Sequence, residues 1–304
     1  LLALTLSAIL PATSSARADA ATDSFLKNFT EGRYGEMAKD LKELAATGEA
    51  KAKAGLGALE FLGAVEHLGQ GFYRYGFRLP QARELGMIVP MMRLPIPPNP
   101  APEKLSYTAF RQLLETFVAD LDRAETSMAA LGETDIKLPV DFIVIRLDFN
   151  ANGAPDAGET LGEIMQSVTM QTGAIPPTQG TKVNFDTADI YWLRAYSRLL
   201  SATAQFLLAH DFENSFNASA FLFFPGAGDG TGEMLEQNRS QRPYSDGEIG
   251  DLVAMLHLTN WPVTDAAKRE DARQRLVNVT ALAPKTWAAA RRETDACQAQ
   301  QHHR

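Results

Sequence analysis

Apolar residues recur at the spacing of an α-helix along several long segments of this chain, and this periodicity most constrains its fold. In the clearest case Leu113, Leu114, Phe117, Val118 and Leu121 fall on one side of a helix. Alternation with a period of two, which would indicate strands, is scarce. The pattern therefore predicts a mainly α fold of packed helical hairpins.

Capping residues and prolines place the ends of the predicted helices. These helices cover residues 24–44, 49–77, 106–131, a segment from Asp186 toward Asp211, a segment after the capping box Ser245-x-x-Glu248, and 264–294 with a break at Pro284. The first two form a hairpin. The second is rich in alanine and glycine, so a neighbouring helix can approach it closely.

The N-terminus differs in composition from the rest of the chain. The apolar run 1–10 precedes two Ala-x-Ala patterns that end at Ala18 and Ala20, which is typical of a signal-peptide cleavage site. An ordinary buried helix is the alternative. We predict a signal peptide over residues 1–20, truncated at its start, one large α-helical domain over 21–295 and a disordered tail over 296–304. The protein is then exported, either periplasmic or secreted, with no transmembrane span in the mature chain.

Charge and cysteine content narrow the range of partners. The formal net charge is −8 over 304 residues, which argues against a broad surface for nucleic acid or anionic lipid and fits a cationic partner better. Cys297 is the only cysteine, so an intramolecular disulfide is impossible. A Met-bearing, proline-rich connection over 79–102 is predicted to cover the core as a lid or, alternatively, to line a groove for a protein partner.

Residues 148–159 combine oxygen-bearing side chains with a turn-forming glycine. Their sequence is Asp-Phe-Asn-Ala-Asn-Gly-Ala-Pro-Asp-Ala-Gly-Glu, with the glycine at position 153. Calcium is a hard cation that takes six to eight oxygen ligands, and a loop supplies them by curling tightly around the ion. The segment resembles the twelve-residue calcium-binding loop of the EF-hand family, and the resemblance covers this one loop and the helix expected after it.

The resemblance implies a specific set of calcium ligands. In the order of the family's loop positions they are the side chains of Asp148, Asn150 and Asn152, the backbone carbonyl of Ala154, Asp156 acting directly or through water, and a bidentate Glu159. Only three of these are carboxylates, which predicts a dissociation constant on the order of 10⁻⁵ to 10⁻³ M, toward the range of extracellular modules. The alternative is an Asn-Gly turn that imitates the motif without binding metal.

Two features separate this loop from paired EF-hands. Pro155 has no N–H for the backbone exchange that paired loops make, and the chain contains no second loop, so we predict a lone site. The approach to the loop is ambiguous. Val140, Ile143, Val144 and Leu147 lie at helical spacing and predict a short helix over 138–147, whereas the run over 142–145 favours a strand.

No catalytic constellation stands out in the sequence. It lacks Gly-x-Ser-x-Gly, His-Glu-x-x-His and Cys-x-x-Cys, the usual signatures of nucleophilic and zinc chemistry. The leading hypothesis is an exported, non-enzymatic calcium-binding protein, in which Ca²⁺ stabilises a helical scaffold used for interaction. The alternative is a secreted enzyme, such as a hydrolase, that calcium braces.

Overall fold

The computed structural model describes residues 34–78, 93–141, 145–154, 156–169, 182–230, 253 and 256–293. Its elements are α1 (Tyr34–Ala46), α2 (Ala50–Arg74), α3 (Tyr107–Ala129), β1 (Lys137–Asp141), α4 (Leu161–Thr169), β2 (Lys182–Asp186), α5 (Thr187–Leu208), α6 (Glu213–Ser219) and α7 (Ala266–Ala290). The predicted mainly α class is confirmed. The predicted signal peptide, C-terminal tail and Ser245 capping box lie outside the described residues, as do residues 79–92 of the Met-bearing connection.

The long helices pack side by side in chain order. Helix α1 forms the predicted hairpin with α2, α2 packs on α3, α3 on α5, and α5 on α7. One hydrophobic core runs through this array from Leu41 to Ala227, and it includes Leu94 and Leu105 of the irregular segment that follows the Met-bearing connection. None of the helices within the described ranges is long and apolar enough to cross a membrane.

Glycine allows α2 and α3 to approach closely, as the composition of α2 predicts. A Cβ placed on Gly57 would overlap Met128 Cγ and lie 3.0 Å from the Met128 backbone nitrogen. Met128 is fully buried, so it has little room to move away. Gly63 of the same helix has nothing within 4 Å of the equivalent position.

We expect Gly57→Ala to lower the free energy of unfolding by about 1–3 kcal/mol, because the added methyl group overpacks the α2–α3 contact. The control is Gly63→Ala, which adds the same methyl group to open space and is expected to stabilise the helix by up to about 1 kcal/mol. Urea unfolding followed by circular dichroism measures both values. Equal effects of the two substitutions would contradict the close contact between Gly57 and Met128.

In the part of the approach to the loop that the structure describes, the chain forms a strand and not a helix. Residues 137–141 form β1, which pairs antiparallel with β2, with Leu138 opposite Phe185 and Val140 opposite Val183. The prediction of a helix over 138–147 is therefore wrong. Ile136, Leu138 and Val140 are all buried, and this period of two is the signal that outweighed the helical spacing.

Helix α5 begins directly after β2 at the predicted cap. The Asp186 side chain accepts from the backbone nitrogens of Ala188 and Asp189, and the Asp189 side chain accepts from the Asp186 nitrogen. This reciprocal arrangement is a capping box. It fixes the point where the small sheet ends and the helical array continues.

Polar contacts connect the last helix to the array. Arg275 of α7 bonds to Asp122 of α3, to Ser201 of α5 and to Asp271 one turn earlier in α7. Helix α7 continues through Pro284 to Ala290, so the predicted break at Pro284 is wrong. Its packing along α5 outweighs the loss of one backbone hydrogen bond at the proline.

Candidate metal site

The loop 148–159 is closed at its base by backbone hydrogen bonds. Arg146 and Thr160 form an antiparallel bridge, the Leu147 nitrogen donates to the Glu159 carbonyl at 2.9 Å, and the Leu161 nitrogen donates to the Ile145 carbonyl at 2.6 Å. Helix α4 starts immediately after this bridge. Because residues 137–141 form a strand, the resemblance to an EF-hand is limited to the loop and the helix that follows it.

The first half of the loop curls around the carboxylate of Asp148. Its Oδ1 accepts from the Asn152 nitrogen at 3.1 Å, and its Oδ2 accepts from the Gly153 nitrogen at 2.8 Å. Gly153 has a φ of +70°, a left-handed conformation that glycine adopts without steric strain. The predicted role of Gly153 as the residue that permits the turn is confirmed.

Three polar side chains of the loop meet at one atom. Asn150 Nδ2 lies 2.6 Å and Asn152 Nδ2 lies 2.8 Å from Asp156 Oδ2. The backbone nitrogen of Asn152 donates both to Asn150 Oδ1 and to Asp148 Oδ1, each at 3.1 Å. The side chains at the first, third, fifth and ninth loop positions are therefore linked in one hydrogen-bonded group.

The two remaining predicted ligands occupy different environments. Ala154 is exposed at the tip of the loop, and its nitrogen donates to Asn152 Oδ1 at 2.6 Å. Glu159 is only 1% exposed, with Oε1 accepting from the Phe149 nitrogen at 3.2 Å and Oε2 from the Asp156 nitrogen at 2.8 Å. The Glu159 carboxylate thus joins the beginning of the loop to its end.

Burial and like charge make ionisation of Glu159 less favourable than that of a free glutamate. Burial raises the pKa of this carboxyl above its ordinary value, and the negative charges of Asp148 and Asp156 raise it further. The hydrogen bonds from the nitrogens of Asp156 and Phe149 lower the pKa without cancelling the rise. A cation in the loop would relieve this repulsion.

Helix α2 holds the first residue of the loop, which the sequence alone did not indicate. Glu66 Oε2 accepts from the Asp148 nitrogen, and Gln70 Nε2 donates to the Asp148 carbonyl, each at 2.8 Å. The fully buried ring of Phe149 lies against Gly69, where a Cβ would come within 2.6 Å of its Cε1. Burial raises the pKa of Glu66, and so do the charges of Asp148 and Glu159.

The loop residues suit a hard cation in the type of donor they offer. Their polar side chains are carboxylates and carboxamides, which supply the oxygen ligands that calcium takes. In this arrangement the asparagine nitrogens face Asp156, and rotation of each amide about its terminal bond would present the oxygen instead. Within the described ranges, no three histidine, cysteine, aspartate or glutamate side chains are grouped to hold a metal. A site here would therefore need amide and carbonyl oxygens in addition to the carboxylates.

The histidines of the described segments take structural positions. His67 Nδ1 lies 2.9 Å from Oδ2 of the buried Asp120. The ring nitrogens of His210 and His257 contact the carbonyl oxygens four residues earlier in the chain, at 2.6 and 2.8 Å. Each contact satisfies a local polar group.

Comparison with known proteins adds no family to this description. The chain matches no protein-family model, no curated protein and no solved structure among those with which it was compared.

Proposed function

We propose that residues 148–159 bind one Ca²⁺ ion and that the ion mainly stabilises the helical scaffold. The observation that carries this proposal is the meeting of Asn150, Asn152 and Asp156 at a single oxygen atom, next to the Asp148 carboxylate. The amide N–H groups now serve as the positive partners of Asp156. A cation coordinated by the same side chains would take over that role.

The donor chemistry favours calcium over other divalent ions. The six residues of the proposed ligand set include neither histidine nor cysteine, the ligands that zinc prefers. Magnesium demands near-ideal octahedral geometry and gives up water reluctantly, whereas calcium accepts six to eight oxygens in flexible arrangements. A loop that combines carboxylates, carboxamides and a backbone carbonyl suits the second behaviour.

The attachment points of the loop support a structural role for the ion. Phe149 reaches the core beside α2, and the Thr160 bridge leads directly into α4. Ordering the loop therefore fixes the positions of α2 and α4 relative to each other. The lone loop has no partner loop through which cooperative sensing could arise.

We further propose that the scaffold is exported and serves in interaction. The apolar run and Ala-x-Ala patterns of the N-terminus support export. Trp192, Leu199 and Phe206 support interaction, because they are spaced seven residues apart on α5 and all remain substantially exposed. A stripe of large exposed apolar side chains is typical of surfaces that contact other molecules.

Calorimetric and thermal titration of the purified protein with calcium, magnesium and a chelator tests the calcium proposal. We expect a dissociation constant on the order of 10⁻⁵ to 10⁻³ M for calcium and weaker binding of magnesium. Calcium at about 100 times its dissociation constant should add about 2.7 kcal/mol to the free energy of unfolding. The absence of both heat and a shift in Tm at calcium concentrations up to about 10⁻² M, well above the upper limit of the expected dissociation constant, would contradict the proposal.

A further inference from the structure

We propose that Glu66 and Gln70 of α2 are positioning residues for the calcium loop, and that they set its affinity by fixing the backbone of Asp148. This inference rests on the proposed calcium function. In this proposal the calcium affinity of the loop depends on two residues of α2 that lie 82 and 78 positions before Asp148 in the chain.

The two contacts hold the two peptide groups on either side of the Asp148 Cα. Glu66 accepts the Asp148 N–H and Gln70 donates to the Asp148 carbonyl, both at 2.8 Å. Residues four apart lie on one face of a helix, so both side chains project from the same side of α2. The two hydrogen bonds together restrain both φ and ψ of Asp148.

The packing of Phe149 reinforces this hold. Its ring lies against Gly69, between the two contact residues in sequence, at a distance that a side chain on Gly69 would not permit. The loop therefore begins on a surface of α2 formed by Glu66, Gly69 and Gln70, which we call the loop dock. Along the loop dock, Glu66 and Gln70 make polar contacts with Asp148, and Gly69 between them allows the close approach of the Phe149 ring.

Fixing Asp148 matters for calcium because its carboxylate organises the turn. The two carboxylate oxygens accept from the backbone nitrogens of Asn152 and Gly153, so their direction sets the curvature of the loop. Groups that orient metal ligands without touching the metal affect metal affinity by about 10- to 100-fold. Rotation of Asp148 away from the dock would move its carboxylate and the turn together.

Substitutions at Glu66 separate positioning from simple charge attraction. Glu66→Ala removes the acceptor and is expected to weaken calcium binding about tenfold. Glu66→Gln keeps an oxygen that can accept the Asp148 N–H but removes the charge, and we expect calcium affinity within about threefold of the wild type, since a hydrogen-bond acceptor remains. Isothermal titration with calcium chloride gives both values, at a temperature where circular dichroism shows each variant to be folded.

The matched control is Glu60→Ala on the same helix. Glu60 is also half-buried and accepts a side-chain hydrogen bond from Ser127 Oγ at 2.5 Å, on α3 and not on the loop. We expect the Glu60→Ala variant to bind calcium with the same affinity as the wild type. A loss at Glu60→Ala as large as that at Glu66→Ala would mean that general weakening of α2 is responsible, and would overturn the inference.

Hydrogen exchange of the Asp148 amide in calcium-free protein supplies a readout that does not depend on metal binding. The amide should be protected in the wild type and in Glu66→Gln and should exchange faster in Glu66→Ala. If wild-type protein binds calcium but Glu66→Ala binds it equally well, or Glu66→Gln loses as much affinity as Glu66→Ala, the positioning inference alone is overturned. If the wild type binds no calcium, the proposed function itself fails.

Discussion

Phe149→Ala is expected to lower the free energy of unfolding by about 3–5 kcal/mol, a large fraction of the stability of most domains. Phe149 lies inside the loop, yet its side chain is 0% exposed and belongs to the main hydrophobic core. Because Gly69 has no side chain to fill the space, the cavity left beside α2 cannot close easily. Denaturant unfolding of the calcium-free protein measures the loss.

The control for this substitution is Phe206→Ala on α5. The Phe206 side chain is 48% exposed, so its truncation creates no enclosed cavity and should produce a much smaller loss of stability. We also expect Phe149→Ala to weaken calcium binding, because the buried ring anchors the backbone next to Asp148. Comparable losses for the two phenylalanines would contradict the burial of Phe149.

Glu159→Gln is expected to abolish most of the stabilisation that calcium provides, which amounts to about 2.7 kcal/mol at 100 times the dissociation constant. It removes the only carboxylate that is proposed to bind calcium through both oxygens. Without calcium, the new amide group also faces the backbone nitrogens that Glu159 accepts from, and a donor left unsatisfied there costs about 1–3 kcal/mol. Thermal melts with and without calcium separate the two effects.

Glu163→Gln provides the matched control, four residues along the chain. Glu163 is exposed and accepts from Thr160 at the start of α4, outside the ligand set. Its substitution should weaken this cap while leaving the calcium-dependent shift in Tm unchanged. A shift that survives in Glu159→Gln, or one that disappears in Glu163→Gln, would mean that the ligands are assigned incorrectly.

Local chemistry made much of the fold predictable. The apolar stripe of α3 and the start of α5 after Asp186 depend on residues that are close in sequence, and both appear where predicted. The turn at Gly153 was also predictable, because glycine adopts a φ of +70° without steric strain wherever it stands in the chain.

Features that depend on contacts between residues distant in sequence could not be predicted from the sequence. The strand β1 gains its hydrogen bonds from β2, whose paired residues lie 41 to 49 positions later in the chain, so the helical spacing over 138–147 was misleading. The loop dock is a second case. Glu66 and Gln70 are ordinary residues of an amphipathic helix, and only the folded chain brings them to Asp148.

A crystal structure of the protein grown with calcium, with an anomalous difference map, tests the central claim most directly. We expect one peak inside the loop, with six to eight oxygens at about 2.3–2.6 Å that include those of Asp148, Asp156 and Glu159. We also expect the oxygens of Asn150 and Asn152 to turn toward the ion. An empty loop at millimolar calcium, with the two amide nitrogens still bonded to Asp156, would contradict the central claim.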